Sequence, residues 1–213
     1  MPETKLTWAR LKEHLRKTLW IYIVGCLVLI LLSDIVFTAT RPRTPEEQVV
    51  KFYVADAYVD SASFDETAQS ILETVQAEDE TLLEVVFEGV NFSDPESDYY
   101  GTMVLMVRMA AGDGDVYLAN EAAYNYISNS EAMLPLDEYL EAGWLSQYSL
   151  EYATYTNPET GETYINAVSL DTMDGLHELG FNNKGAYLGL AANTTNLEST
   201  MKAVEALLAL MAG

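Results

Sequence analysis

Few side chains in this sequence are of the kinds that carry covalent chemistry. There are two histidines, His14 and His177, and one cysteine, Cys26. A Ser–His–Asp set needs a nucleophile held on a sharp turn, and no Gly-x-Ser-x-Gly occurs. Nor is there a His-Glu-x-x-His zinc motif, a P-loop or a Gly-x-Gly-x-x-Gly turn. His177 stands alone in a predicted short helix over Thr172–Leu179. Paired carboxylates point to nothing in a chain with 33 acidic residues. Asp113-Gly-Asp115 and the run Asp94–Asp98 offer oxygen ligands. Neither supplies the alternating donors, central glycine and closing glutamate of a Ca²⁺ loop. This inventory predicts no catalytic residue, no cofactor and no metal site.

What the sequence offers instead is aromatic surface. Tyrosine occurs 14 times. Tyr58, Phe64, Tyr124, Tyr126 and Trp144 fall near the ends of predicted strands or the starts of predicted helices. In open α/β sheets ligands bind at the carboxyl ends of strands. Aromatic faces placed there suit sugars or peptides; rings that fill the core are the alternative.

The elements that would position these residues follow from periodicity. Val49–Tyr58 is rich in β-branched and aromatic residues and predicts a strand. Phe64–Ala77 has apolar residues at helical spacing, and Ser63 with Glu66 fits a capping box. Leu82–Gly89 predicts a second strand. Ser97–Ala111 predicts a helix with Tyr100, Met103, Val104, Val107 and Ala111 on its inward stripe. Gly112–Ala119 predicts a turn into a third strand, and Glu121–Ser128 a helix. Leu134–Leu140 predicts a short helix and Tyr148–Glu162 a hairpin. Strands over Thr163–Leu170 and Gly185–Ala192 and a helix over Asn196–Leu210 close the chain. Alternation of this kind implies an α/β fold, an open mixed sheet with helices on both faces.

Charge divides the chain. Residues 1–17 hold five basic side chains against Glu3 and Glu13, whereas residues 41–213 hold six against 30 acidic ones. So acidic a domain repels phosphate backbones, which argues against nucleic acid. It has no cysteine, hence no disulfide of its own.

Between these halves lies Leu19–Ala39, an apolar run interrupted by Asp34. As a helix it spans ~30 Å, the thickness of a bilayer's hydrocarbon core. The basic residues upstream predict a cytoplasmic N-terminus, and Trp20 and Tyr22 suit an interface. Asp34, near the outer end, lies within reach of the headgroup layer. Two other readings are a cleaved secretory signal and a lipoprotein signal, since Ile23-Val24-Gly25-Cys26 fits a lipobox. The purely apolar Leu27–Leu32 after Cys26 favours the uncleaved span. The expected order is a cytoplasmic basic segment (1–18), a transmembrane helix (19–39), a linker (40–48) and an extracytoplasmic domain (49–213). This predicts a single-pass protein of the cell membrane, in contact with the bilayer through residues 19–39.

Gly112-Asp-Gly-Asp-Val-Tyr-Leu-Ala-Asn-Glu121, then Ala132-Met-Leu-Pro-Leu-Asp-Glu-Tyr-Leu140, resembles bacterial extracellular solute-binding proteins of ABC importers. Tyr187–Asn196, followed by a helix from Leu197, resembles the same family. The resemblance covers residues 48–145 and 160–212. It implies one lobe of a periplasmic-binding-protein-like fold. Family members carry two lobes, and here only residues 141–162 occupy the second lobe's place. Carried onto this sequence, the resemblance implies ligand-facing positions at Asp60 and Phe64 after the first strand. Asn120, Glu121 and Tyr124 follow the third, and Trp144 sits at the shortened crossing. The implied function is non-catalytic binding of a small solute, with a sensory or accessory subunit of a membrane transporter, acting through a protein partner, as the alternative.

Overall fold

The computed structural model describes residues 8–40 and 44–212, and the chain divides into two units, Met1–Arg43 and Thr44–Gly213. The first unit contains a 33-residue helix, α1 (Trp8–Thr40). It begins well before the apolar run, because residues 8–18 are mostly good helix formers with no glycine or proline to stop them. Within it Thr18–Phe37 is long and apolar enough to cross a membrane, and none of that span is buried against protein.

The second unit is built around β1 (Val49–Asp56), whose residues alternate between two cores. Val50, Phe52 and Val54 enter one, and Tyr53 and Ala55 the other. A strand buried on both faces needs helices on both sides of its sheet. The chain supplies them through α2 (Asp65–Gln76), β2 (Glu84–Asn91), α3 (Tyr99–Ala111), β3 (Val116–Ala119) and α4 (Glu121–Asn129). Both β2 and β3 pair parallel with β1. Parallel neighbours need crossover connections, and α2 and α3 provide them. Then come α5 (Asp137–Glu141), the hairpin β4 (Tyr152–Thr156) and β5 (Thr163–Ser169), α6 (Gly175–Glu178), β6 (Tyr187–Leu190) and α7 (Leu197–Met211). The six strands run in the order β2-β1-β3-β6-β5-β4. β6 is antiparallel to both β3 and β5, and β4 is antiparallel to β5. The result is the expected mixed open sheet with helices on both faces.

The first core takes Ile71 and Val75 from α2 and Ala203, Val204, Leu207 and Leu208 from α7. Its aromatic centre stacks Phe52 on Phe87 at 4.6 Å and Phe64 on Phe87 at 4.9 Å. The second core takes Leu105 from α3 and Ala123 and Ile127 from α4. Each large side chain so buried contributes about 1.5–3 kcal/mol.

Two expectations fail locally. The capping box at Ser63 and Glu66 does not form. Asp60 instead caps a 3₁₀ turn, Ser61–Phe64, by accepting from the Ala62 N–H, and Ser63 donates to the Asp60 and Leu179 carbonyls. The inward stripe assigned to α3 also holds only at Val104, which packs partly against the second core. Gly101 and Leu105 are its buried residues, while Tyr100, Met103 and Val107 face outward. Ten of its 13 residues are apolar, so periodicity marks more than one stripe.

Asp79, in the α2–β2 turn, accepts from the Thr81 backbone and hydroxyl and, at 2.7 Å, from the Ser199 hydroxyl in α7. These bonds, the Thr81 hydroxyl first, draw its carboxyl from 3.8 down to about 2. A depressed carboxylate stabilises the fold above its unfolded pKa and stops doing so as pH falls through the folded one. Asp79→Asn is therefore expected to melt lower than the parent at neutral pH. The gap should close between about pH 4 and pH 2 in melts followed by circular dichroism.

Candidate functional site

The sheet reverses its order of connection at β1, with β2 on one side and β3 on the other. The crevice at the carboxyl ends of such strands is where open α/β sheets bind ligands. Here β1 ends on Asp56, a carboxylate only 7% exposed. One oxygen accepts from the Ala57 N–H at 2.8 Å and from Asn120 Nδ2 at 3.3 Å. The other accepts from the Asn182 N–H at 3.0 Å. Asn120 follows β3 and caps α4, accepting from the Ala123 N–H at 2.9 Å while its amide donates to the Phe92 carbonyl. One carboxylate thus ties together the ends of β1 and β3, the start of α4 and the loop before β6.

Above this knot is an open depression lined by Asp56, Ser93, Asn120, Glu121, Asn125 and Asn182, with Ala122, Lys184 and Gly185 completing it. Ser93, Glu121, Asn125 and Asn182 are exposed. The loop that carries Asn182 is itself braced. Asn183 is buried and donates to the Leu170 and Asp171 carbonyls, and the Gly185 N–H donates to Asp171 at 2.7 Å. That backbone bond, with the Ser169 hydroxyl, holds the Asp171 carboxyl below the usual range. Lys184 overhangs the depression, but its ammonium is held by the Asp174 carboxylate at 3.1 Å.

The six positions implied by resemblance separate here. Asn120 and Glu121 line the depression. Asp60 is exposed on its capping turn, outside it. Phe64 is 1% exposed and stacked in the first core. Trp144 is buried in that core as well. Tyr124 is buried in the second, where its hydroxyl donates to Asn166 at 2.9 Å and its ring lies 4.3 Å from that of Tyr187. Of the other lining residues, Asp56 fell inside the strand expected over Val49–Tyr58, and its place at the strand's end emerges only from the structure. Asn182 comes 126 residues later and carried no local signal.

The amino ends of the strands hold the other polar cluster. Lys51 pairs with Asp113, and Arg108 pairs with Glu88 and lies 3.6 Å from Asp113. The guanidinium also sits 5.2 Å over the Tyr53 ring, a cation–π contact, and donates to its hydroxyl. Burial opposes ionisation of Asp113, yet the Lys51 ammonium, the Tyr53 hydroxyl and the Arg108 guanidinium together outweigh it and its pKa falls. Asp115 is pushed up by burial, although Thr194 donates to it at 2.6 Å. The glycines of this motif answer to space. A Cβ on Gly114 would stand 2.3 Å from the Tyr53 ring, and Gly112 ends α3 at φ +65°. Asp113-Gly-Asp115 is thereby engaged in holding β1, β3 and α3 in register. Among the described residues no group of three or more His, Cys, Asp or Glu side chains is arranged to hold a metal ion. His177 lies exposed on α6.

No protein-family model and no curated protein matches this chain.

Removing the Asp56 carboxylate leaves two backbone N–H groups without their acceptor and costs the Asn120 amide one of its two. Asp56→Ala is expected to cost about 2–4 kcal/mol in urea unfolding, and Asp56→Asn less, since its amide oxygen still accepts.

Proposed function

We propose that this chain is a membrane-anchored extracytoplasmic binding domain, non-catalytic, built like a single lobe of a solute-binding protein. On this reading α1 crosses the bilayer with its basic end in the cytoplasm. The carrying observation is the polar depression at the carboxyl ends of β1 and β3, where the strand order reverses. The order β2-β1-β3 and the capping of α4 by Asn120 fit the resemblance noted in Gly112–Glu121. The β4–β5 hairpin and the loop before it stand where a second lobe would be inserted. A lone lobe offers a ligand one wall of a pocket, which suits weak, rapidly exchanging capture.

Charge narrows the ligand. Among the described residues of the second unit all four Lys and Arg side chains pair with carboxylates. Lys51 meets Asp113, Arg108 meets Glu88, Lys184 meets Asp174 and Lys202 meets Glu198. Among these described residues no Lys or Arg is left without a carboxylate partner, which disfavours an anionic solute. The depression presents hydroxyl, amide and carboxylate groups from Ser93, Asn125, Asn182 and Glu121. Those groups match a neutral polyhydroxylated or a cationic solute.

Calorimetry of fragment 44–213 tests this against neutral sugars, polyamines and short peptides, with anionic sugars as controls. The fragment contains both hydrophobic cores and is a compact unit. Binding confined to neutral or cationic solutes and weakened by Asn125→Ala is the expected outcome. Silence across the panel, or preference for the anions, overturns the reading.

A further inference from the structure

The two edges of the sheet are unlike. β4, at one end, is five residues long, and its register shifts between Ala153 and Thr154. Shortness and irregularity are means by which edge strands avoid further pairing. β2, at the other end, runs eight residues in unbroken register with β1 and contains no proline. The direction of its free backbone groups follows from its neighbour. In β1, Lys51 spends its N–H and carbonyl on Asp115, and the Ala55 carbonyl accepts from Asn120, all on the β3 side. Backbone groups alternate along a strand, so Val50, Phe52, Val54 and Asp56 turn toward β2. The Asp56 carbonyl accordingly accepts from the Phe92 N–H. Glu84, Val86, Glu88 and Val90 share the phase of Phe92 and complete that ladder. Val85, Phe87 and Gly89 therefore direct their N–H and C=O groups outward. The Gly89 N–H does so, donating to the Ser61 hydroxyl at 3.1 Å. Among the described residues no donor or acceptor meets the outward groups of Val85 and Phe87. Their side chains are buried in the first core, so these unmatched backbone groups are held in place.

We propose that β2 accepts, as a seventh strand, a short extended segment of another protein that carries lysine or arginine. Beside the free edge lies an open groove of about 640 Å³, lined by β2 and α2. Its apolar lining includes Ala68, Leu72 and Leu83, the last 52% exposed, and its charged lining is Asp65 and Glu84. In strand addition, main-chain bonds give affinity and pockets for alternate side chains give selection. Here Val85 and Phe87 offer the main-chain bonds. Every second side chain of the added strand enters the groove, apolar against Ala68 and Leu72 and basic against Asp65 and Glu84.

Charge selects the occupant. The ionisable residues of α2 and β2 are Asp65, Glu66, Glu73, Glu84 and Glu88, without a lysine or arginine among them. A second copy of this chain would bring the same carboxylates to the same edge, and like charges across a strand pair repel. A cationic segment meets the opposite situation. The segment is also short. Beyond Phe87 the edge is closed by Ser61 and by Val59, whose side chain a Cβ on Gly89 would approach to 2.8 Å. Two outward residues pair with a stretch of about three to five residues. The groove shares no residue with the polar depression, so the two surfaces are independent.

The test uses the full chain in nonionic detergent micelles and three end-blocked synthetic peptides. The first is Lys-Thr-Val-Thr-Lys-Thr, which places lysine, valine and lysine on one face. The second replaces both lysines by glutamate. The third is the first with every backbone nitrogen methylated, which removes its donors at unchanged charge. Amide hydrogen exchange is read by NMR at Val85 and Phe87. The first peptide is expected to slow exchange there by about tenfold once free peptide is about ten times its Kd. The methylated peptide should bind about tenfold more weakly, and the glutamate peptide should leave exchange unchanged. Asp65→Lys and Glu84→Lys, both at exposed residues, should each weaken the first peptide about threefold at low salt and less at high salt. Asn125→Ala, in the polar depression, should leave it unaffected. Unslowed exchange with the first peptide overturns the proposal, as does equal binding of the methylated peptide or preference for the glutamate one. Loss of binding in Asn125→Ala overturns it by moving the contact to the depression. Protection of Val85 and Phe87 without peptide, rising with chain concentration, makes a second copy the occupant and overturns it as well.

Discussion

The second unit depends on one strand being buried on both faces. β1 has no solvent side: Val50, Phe52 and Val54 close one core, and Tyr53 and Ala55 close the other. That double burial forces the crossover helices to opposite faces and fixes the β2-β1-β3 order. The strand must then surrender its polar backbone at each end without leaving it unpaired. At the amino end the Lys51 N–H is met by the Asp115 carboxylate, and the Lys51 carbonyl by the Asp115 N–H. At the carboxyl end Asp56 performs the same service in reverse, offering its own carboxylate to two backbone N–H groups. Two aspartates at opposite ends of the central strands therefore anchor the loops, and the polar depression is a by-product of the second anchoring.

How much of this was legible depends on sequence distance. The alternation of strand and helix through residue 129 is local, and the strands and helices there fell within a few residues of their expected places. The positions of Asn120 and Glu121, implied by the resemblance, were legible because both directly follow a strand, and both line the depression. Asn182 and Lys184 were not, because β6 inserts antiparallel beside β3 and no periodicity announces which loop will reach β1. Phe64 and Trp144 illustrate the opposite difficulty. An aromatic ring near a strand end has the same local sequence whether it faces solvent or turns into the core. The packing of Phe64 against Phe87 is decided by a partner 23 residues away, and Trp144 is drawn into the same core.

Helix α3 shows where pattern reading reaches its physical limit. Periodicity identifies a face only when the other face is polar. In α3 the sole charged residue, Arg108, turns to Tyr53, Glu88 and Asp113, and the remaining surface is apolar almost throughout. The sheet covers the stripe that fits it best, through Gly101, whose Cβ would stand 2.4 Å from the Asn91 carbonyl, and Leu105. The small residue sets that choice, because a close approach to β2 is available on no bulkier side. What is left facing outward is the stripe that looked most like a core.

The same economy of cations bears on both proposals. An acidic domain with four described Lys and Arg side chains has to spend each one against internal repulsion, and each is found beside a carboxylate. Surface pairs such as Lys202 with Glu198 contribute little to stability, on the order of 0.3–0.5 kcal/mol. Their larger consequence is to remove positive charge from the surface. A solute or partner approaching the unit meets a surface dominated by carboxylates; α3 itself carries none, although Asp98 caps its amino end. On the proposed reading polar recognition belongs to the strand ends, where hydroxyl, amide and carboxylate groups converge, whereas α3 exposes apolar side chains.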